Sequence, residues 1–486
     1  MATKNYYFDS CLRLSSKRWM PFSLVNLALL TACGTPLPHE RPALDVPAAY
    51  KQGVQGSAVW QTAQPQDSVP SAWWTLFADP ALNALQERAA SGNQNVALAV
   101  ARLRAARAAL DSAGAAGLPS LGATASSTRS RSGTNAESSA QARTRNSQAL
   151  GLNASWELDL WGRLSGGVDA ARASVEASAD DLAAMRLSVQ ATVAQTYFAL
   201  RAAEAQTLLL DDTLAAYERS WQLTRNRQRA GVASAADVAQ AEAQYKSTQV
   251  QRLEAQTSRA QLEHALAALT GQAPAALTLP APAPLPAPPA VPAQLPSRLL
   301  ERRPDIAAAE RRVAAANAQI GVAQAAFFPA VTLSGAAGYR GTELANLLNA
   351  PNLFWSLGPA LAVSLLDGGA RSAALESARA AHDQTVASYR QTVLTALQEV
   401  EDNLAAATAL EREQQLQTDA VAAAQRALDV VSNQYRAGTV GYLNVLSAQT
   451  TVLSAQRNLI EVHSRRLAAV NMLLKNVAGR WAVERS

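Results

Sequence analysis

The chain has 486 residues, of which 49% are hydrophobic and only 5% aromatic, and its formal net charge is +5. Its 43 lysine and arginine residues are scattered among 38 acidic residues without a basic stripe, which argues against a nucleic-acid-binding protein. The four histidines are isolated, the two cysteines lack metal-ligand spacing, and no glycine-rich phosphate loop is found. The sequence therefore predicts no enzyme, no metal site and no cofactor.

The first 32 residues have the pattern of an export signal. Basic residues precede the apolar run Pro21–Ala32, which is too short to cross a bilayer. The run ends in Leu30-Thr31-Ala32-Cys33-Gly34, which is similar to the cleavage box of bacterial lipoproteins. This similarity implies a signal peptide over 1–32, a covalent N-terminal lipid on Cys33 and a proline-containing tether over 33–71. The other interpretation of Cys33 is an ordinary thiol.

Two copies of one unit make up most of the chain. The turn Arg229-Ala230-Gly231-Val232 recurs 207 residues later as Arg436-Ala437-Gly438-Thr439, and Leu118-Pro119 recurs 210 residues later as Phe328-Pro329. Such similar offsets indicate an internal duplication. Between the copies, eight prolines within 17 residues predict an extended linker. The predicted domains after the tether are repeat 1 at 72–273, the linker at 274–296, repeat 2 at 297–479 and a tail at 480–486.

Each copy contains a predicted hairpin of long helices. Residues 165–230 and 370–437 contain no proline, and no glycine beyond the first turn, so each run predicts a helix on the order of 100 Å long. Apolar residues every three or four positions give each helix a seam for a neighbour. A second helix returns after a turn at Gly231 or Gly438, which places the helical hairpins at about 165–270 and 370–478. Arg303, Pro304 and Asp305 mark a further helix start.

Ahead of each long helix, the apolar period changes from 3.6 to 2. Residues 150–158 and 355–365 alternate apolar with small or polar side chains, which is typical of strands with one apolar face. Together with partner strands upstream, they predict β-hairpins at about 119–160 and 329–367. Four aromatic residues near the strand ends match an aromatic girdle at a membrane interface and ordinary β-propensity equally well: Trp156, Trp161, Tyr339 and Trp355.

Four amphipathic strands cannot close a barrel alone. An open sheet edge in lipid would leave backbone groups unpaired, at several kcal/mol each. We therefore expect several copies of the chain to share one barrel. The alternative is a soluble β-sheet packed on a helical bundle.

Six short motifs lie in order along the duplicated frame: the lipoprotein box, Glu301 to Ile306, Phe327 to Pro329, Leu366 to Gly369, Tyr435 to Gly438, and Tyr442 to Leu446. In this order they resemble the outer-membrane channel lipoproteins of tripartite, RND-type efflux pumps, the TolC and OprM family. The resemblance implies a mainly α protomer with a membrane β part, and a homotrimer whose twelve-stranded β-barrel stands on a periplasmic α-helical barrel. It also implies an outer-membrane location, and a periplasmic adaptor and an inner-membrane transporter as partners.

The helical tips are the candidate site under this resemblance. Gly231 and Gly438 each follow a helix end where a left-handed backbone closes the last turn, which only glycine does without strain. The resemblance implies that these glycines, with Arg229 and Arg436, dock the adaptor.

Asp237 has two interpretations. It lies three residues after Ser234, which predicts a capping box at a helix start. In the family's channels, the acid six residues after one tip glycine accepts a hydrogen bond from a tyrosine three residues before the other and holds the pore closed. The resemblance therefore implies a latch between Asp237 and Tyr435.

The predicted periplasmic gate also includes Leu443, Asn444 and Ser447. Where the family's channels carry acidic rings six and nine residues after the second tip glycine, this chain has Asn444 and Ser447. Cation selectivity from a ring of carboxylates is therefore not expected. Leu443 fits either an apolar plug or a contact between helices.

The sequence as a whole predicts a passive exit duct for small molecules. Type I protein secretion would use the same channel with a different cargo. A lipid-anchored coiled-coil scaffold or adhesin would share the long helices but would not need the amphipathic strands.

Overall fold

The computed structural model describes residues 41–43, 60–62, 72–131, 144–280, 283–293 and 303–477. Cys33, the predicted signal peptide, most of the predicted tether and the C-terminal tail lie outside these residues. The chain divides into two compact units. The sheet unit contains residues 116–166 and 321–372, and the helical unit contains the described residues of 39–115, 167–320 and 373–477.

From the helix before each β-hairpin onward, the described helices and strands of the two copies correspond one to one. A short strand β1 (Trp60–Thr62), a 3-10 turn (Trp73–Phe77) and helix α1 (Pro80–Gly92) come first. The first copy continues with α2 (Gln94–Ala115), β2 (Ser120–Arg131), β3 (Thr144–Leu158), α3 (Arg163–Arg229) and α4 (Ala235–Leu269). After β4 (Val291–Ala293), the second copy has α5 (Pro304–Ala325), β5 (Ala330–Gly341), β6 (Leu353–Ala362), α6 (Ala370–Arg436) and α7 (Tyr442–Val477). Helices α3 and α6 have 67 residues each, and the predicted mainly α fold with a smaller β part and an internal duplication is confirmed.

Two predicted segments differ in detail. Strand β6 ends at Ala362, so the alternation predicted to Leu365 runs beyond the strand. Beyond the strand, the Ser364 carbonyl accepts a hydrogen bond from the Arg371 guanidinium at 2.6 Å, which is a side-chain donor and not a strand partner. The linker begins with a 3-10 turn at Pro274–Ala276 instead of extended backbone, and its extended part includes β4, which pairs in parallel with β1. Among the described residues, no helix has the length and apolar character needed to cross a membrane.

The sheet unit holds an antiparallel sheet in the order β2-β3-β5-β6. Residues directly opposite each other on neighbouring strands share a face, so the register assigns every side chain to one face. Leu152 lies opposite Ala123 on one side and Ala337 on the other, and Ala337 lies opposite Trp355. These four residues therefore share one face of the sheet.

That face, the apolar face, is continuous across the sheet. Its rows run from Leu158, Val331 and Leu361 to Leu150, Tyr339 and Leu353. Its side chains are open to the surroundings in a single chain: Leu152 is 52% exposed, Leu357 70% and Trp355 77%. The opposite face carries small and polar residues such as Asn153, Ser155, Ser334 and Ser356. This arrangement agrees with the alternation read from the sequence.

Aromatic side chains at the helix-connected end of the sheet are fixed by hydrogen bonds. Trp156 Nε1 donates to the Gly117 carbonyl at 3.0 Å, and Trp161 Nε1 donates to the Pro329 carbonyl at 2.7 Å. Trp161 also stacks on Phe328, with ring centroids 4.9 Å apart. An indole that is apolar on its faces and hydrogen-bonded at its nitrogen suits a membrane interface.

Arg303 joins three helices of the helical unit. It is only 6% exposed, and its guanidinium donates to Asp305 at 2.7 Å, to Glu399 of α6 at 2.9 Å and to the Asn476 side chain of α7 at 2.8 Å. Burial by itself raises the pKa of the Asp305 carboxyl, but the hydrogen bonds and charge of Arg303 hold this pKa below its ordinary value. The sequence predicted only a helix start here, and the structure adds a buried ionic network.

Gly338 is predicted to be required for the pairing of β3 with β5. A Cβ atom at this position would lie 2.2 Å from the Leu150 carbonyl oxygen and 2.6 Å from the Gly151 Cα atom, so the strands would have to move apart. We expect Gly338→Ala to destabilise the sheet by about 1–3 kcal/mol. Thermal loss of the β-sheet circular dichroism signal measures this.

Gly151, opposite Gly338, provides the matched control. A Cβ atom there would meet nothing closer than 3.6 Å. Gly151→Ala should leave the transition unchanged or raise it, since alanine is less flexible than glycine in the unfolded chain. Equal losses in the two variants would contradict the proposed close approach.

Candidate functional site at the helical tips

Both helical tips close with the same turn. At the first tip, the N–H groups of Gly231 and Val232 donate to the Gln228 and Arg227 carbonyls, both at 2.9 Å. At the second tip, Gly438 and Thr439 make the equivalent bonds at 3.1 and 3.0 Å. This is the Schellman motif, which needs a left-handed residue after the helix. The glycines supply it, with φ of 76° at Gly231 and 77° at Gly438, as the sequence predicts.

Asp237 caps a helix. Its backbone N–H donates to Ser234 Oγ at 3.1 Å, and its carboxylate accepts from the Ser234 N–H at 3.0 Å, which completes the capping box at the start of α4. The predicted hydrogen bond between Asp237 and Tyr435 is not formed in this chain, because the Tyr435 hydroxyl has no hydrogen-bond partner among the described residues. The local interaction at Ser234 is therefore the one that the Asp237 carboxylate makes.

Arg227 connects the two hairpins at the tips. Its guanidinium lies 4.5 Å from the centre of the Tyr435 ring, and its Nη1 donates to the Tyr435 carbonyl at 3.0 Å. The same carbonyl accepts from the Gly438 N–H in the turn that ends α6. One cation thus contacts an aromatic face and also the negative end of a helix, and both contacts are favourable. Arg227 was not among the residues predicted from the sequence.

A small apolar cluster lies beneath this contact. Tyr435, Tyr442, Val445 and Ala241 are buried there, and the two tyrosine rings meet edge to face with centroids 5.8 Å apart. Ser220 Oγ of α3 donates to the Tyr442 hydroxyl at 3.3 Å. Burial raises the pKa of Tyr442, and the nearby Asp237 carboxylate adds to this, so the phenol stays neutral. Tyr442 begins the motif Tyr442 to Leu446, which was the sequence signal for this cluster.

The remaining predicted gate residues lie on the exposed side of α7. Leu443 is 60% exposed, and Asn444 and Ser447 are exposed as well. Positions 443, 444 and 447 share one helix face, opposite the buried Tyr442 and Val445. Leu443 therefore lies outside the buried apolar cluster of the tip, and this face is open to another surface or to water.

The basic residues beside the tip glycines are exposed. Arg229 and Arg436 end α3 and α6, and the Arg436 guanidinium donates to the Asn433 side chain at 3.1 Å. Positive charge at a helix C-terminus is favourable. The structure thus leaves both tips accessible, with the same turn and one arginine at each.

The sequence of this chain matches a known protein family. A family model described as outer membrane efflux protein matches residues 85–272 and 295–479, which lie in the two copies. The chain belongs to the outer membrane efflux protein family.

Relatives and solved structures agree with this assignment. The chain is 33% identical to the probable efflux pump outer membrane protein TtgC of Pseudomonas putida, over 95% of this chain and 96% of that one. It is also 33% identical to the pyoverdine export outer membrane protein OpmQ of Pseudomonas aeruginosa, over 95% of this chain and 98% of that one. The solved structure of the outer-membrane channel OprN matches with a TM-score of 0.84 at 32% identity, covering 91% of this chain and 99% of OprN.

These comparisons confirm the predicted TolC- and OprM-like fold, the outer-membrane location and the efflux function of the protein. The outer membrane efflux proteins are channels, which places this chain among transport proteins. The alternative of a coiled-coil scaffold or adhesin is not supported. Such a protein would need only long helices, whereas this efflux protein also has a four-stranded sheet.

The tip turn itself can be tested by substitution. Gly438→Ala forces an alanine to φ near 77° in open space, so the cost is backbone strain alone, about 1–2 kcal/mol. We expect hydrogen exchange of the tip amides to become about five- to thirtyfold faster. Gly167→Ala, inside α3 and also in open space, should slow exchange locally because alanine favours the helix. Unchanged exchange in Gly438→Ala would contradict the assigned turn.

Proposed function

We propose that this efflux protein works as a homotrimeric exit duct, and the sheet is the observation that carries this proposal. Within the part of the chain that the structure describes, β2 and β6 each pair with one neighbour only, and the apolar face is exposed. The apolar face of such a sheet is compatible with lipid. Its two edges are not, because backbone groups without hydrogen-bond partners are costly in hydrocarbon. Pairing β2 of one copy with β6 of the next removes both edges.

A trimer would give twelve strands, an even number within the range of outer-membrane barrels. The apolar face would then meet lipid, and the face with Asn153, Ser155 and Ser356 would line a wet interior. The long helices α3, α4, α6 and α7 of the three copies would form a periplasmic helical barrel. This is the architecture that the family resemblance implies.

The partners are part of the proposal. A periplasmic adaptor would dock on the tips at Arg229, Gly231, Arg436 and Gly438, and an RND-type inner-membrane transporter would deliver the cargo. The exposure of both arginines and the equivalence of the two turns support a docking surface that repeats around a trimer. A covalent lipid on Cys33 would add an anchor, and the duct would need no cofactor and no catalysis.

The proposed cargo is small molecules. One relative is named for pyoverdine export and another for an efflux pump, which supports small-molecule efflux over protein secretion. The exposed gate residues Leu443, Asn444 and Ser447 carry no charge, so we expect weak selection among ions at this level.

The proposed gate is the joint between the two hairpins. Opening the tips requires one hairpin to move against the other, and Arg227 and Tyr435 hold them together. A hydrogen bond from a charged donor and a cation–π contact contribute about 2 kcal/mol at a half-buried site, which shifts a closed-to-open ratio by roughly thirtyfold. An adaptor that competes for Arg227 would release this joint.

Membrane insertion tests the proposed duct. Leu357 lies in the middle row of the apolar face, opposite Gly335, and Ser356 is its neighbour on the other face. A lysine on the lipid face near the bilayer centre costs about 2–4 kcal/mol, and a lumen residue tolerates it. We expect Leu357→Lys to lose heat-resistant trimers and planar-bilayer conductance, and Ser356→Lys to keep both. The duct proposal fails if the wild-type protein is a monomer without conductance, or if the two variants behave alike.

Single-channel recording tests the joint. Arg227→Leu removes the guanidinium but keeps an aliphatic side chain, and we expect the open probability of the isolated channel to rise by about tenfold or more. Arg225→Leu is the matched control, because the Arg225 guanidinium lies over the Trp221 ring of its own helix, 5.3 Å from its centre. A closed Arg227→Leu channel together with an open Asp237→Asn channel would instead favour the latch at Asp237.

A further inference from the structure

Two arginines continue the apolar face beyond its last apolar row. Strand β2 extends past Ala125, and the register places Ser127, Arg129 and Arg131 on the same face as Leu121 and Ala123. Both arginines are exposed. They lie at the end of the sheet away from the strand ends that connect to α2 and α3, because β2 starts at the α2 side and β3 ends at the α3 side.

Among the described residues, those of β3 that lie opposite this pair on that face are neutral. Arg129 lies opposite Asn146, Arg131 lies opposite Thr144, and Gln148 occupies the row beneath. None of these side chains is acidic, so none forms an ion pair with an arginine. The two guanidinium groups start about 7 Å apart along the strand, because residues i and i+2 share a face.

The height of the pair above the apolar rows matches a headgroup layer. Arg129 is four residues beyond Ala125, which is about 14 Å along the strand and roughly 10 Å in height at a tilt of about 45°. The polar layer on each side of a bilayer is about 5–8 Å thick, and an arginine side chain can reach back several ångströms toward it. The side chains therefore reach the level at which lipid phosphates lie.

We propose that Arg129 and Arg131 bind the phosphate groups of a lipid in the outer leaflet, such as the phosphorylated disaccharide of lipid A. The proposal rests on the proposed function, in that the apolar face meets lipid and the long helices lie on the periplasmic side. Guanidinium groups bind phosphate oxygens through two parallel hydrogen bonds, and two of them side by side suit a headgroup that carries more than one phosphate. Acyl chains of the same lipid would then lie along the apolar rows beneath.

Arg145 is the matched control for this site. It lies directly opposite Ser130, the residue between the two arginines, so it has the same height but points to the other face. Substituting Arg145 removes one positive charge, against two in the paired variant, without touching the lipid face. If positive charge near the rim attracted lipid nonspecifically, substitutions on either face would lower lipid binding in the same way.

Native mass spectrometry of the purified full-length protein with diphosphoryl lipid A tests the proposal. We expect the wild-type protein to retain lipid A, R129Q/R131Q to retain about tenfold less, and R145Q to match the wild type. The lysine pair R129K/R131K, which keeps the charge, should retain an intermediate amount. Monophosphoryl lipid A should bind more weakly, and inorganic phosphate alone should not compete, because it lacks the acyl chains that the apolar rows hold.

Retention in R129Q/R131Q equal to that of the wild type, or an equal loss in R145Q, would overturn the proposal. Heat-resistant trimers and conductance in phosphatidylcholine bilayers are measured on the same samples. Normal conductance with lost lipid binding supports the site and leaves the duct intact. Absent conductance in every sample, wild type included, refutes the duct, whereas normal conductance with equal lipid A retention refutes only the lipid site.

Discussion

The cost of unpaired backbone groups in lipid is the constraint on which the rest of this structure depends. The apolar face of the sheet is stabilised by contact with hydrocarbon, but within the described residues strands β2 and β6 each pair on one side only, and lipid offers no partner to the open side. Because a closed barrel has no edge, joining copies of the chain meets both requirements at once. In the proposed duct, the symmetry that closes the barrel would also set how many helical hairpins the tunnel contains.

The duplication explains both what the two tips share and how they differ. Equivalent positions are 207 residues apart, and both tips keep a glycine with a left-handed backbone. The copies differ where the hairpins meet: Arg227 corresponds to Gln434, Tyr435 to Gln228, and Asp237 to Asn444. The first copy thus supplies the cation and the second supplies the ring and carbonyl that receive it. Two copies that both carried Arg-Gln, as at 227 and 228, or both carried Gln-Tyr, as at 434 and 435, could not form this joint.

Strand alternation decides the environment of every side chain in the sheet. Leu357 and Ser356 are neighbours in sequence but lie on opposite faces, as do Ser130 and Arg131. A shift of the register by one residue would turn the leucines toward the interior and the serines toward lipid. The close approach at Gly338 opposes such a shift, since another residue placed there would meet the Leu150 carbonyl.

The sequence by itself determined the duplication, the long helices, the alternating strands and the glycine turns, because each is written in a local period or a local conformational need. It also contained the capping box of Asp237, which closes over three residues. Only the tertiary structure decided the partner of Tyr435, which is Arg227 at a separation of 208 residues, and the partners of Arg303 on α6 and α7. It also decided where β6 ends, because Ala362 pairs with Ala330, the first residue of its partner strand β5. Periodicity assigns a residue to a face, but the choice among distant polar groups depends on packing geometry that no local pattern encodes.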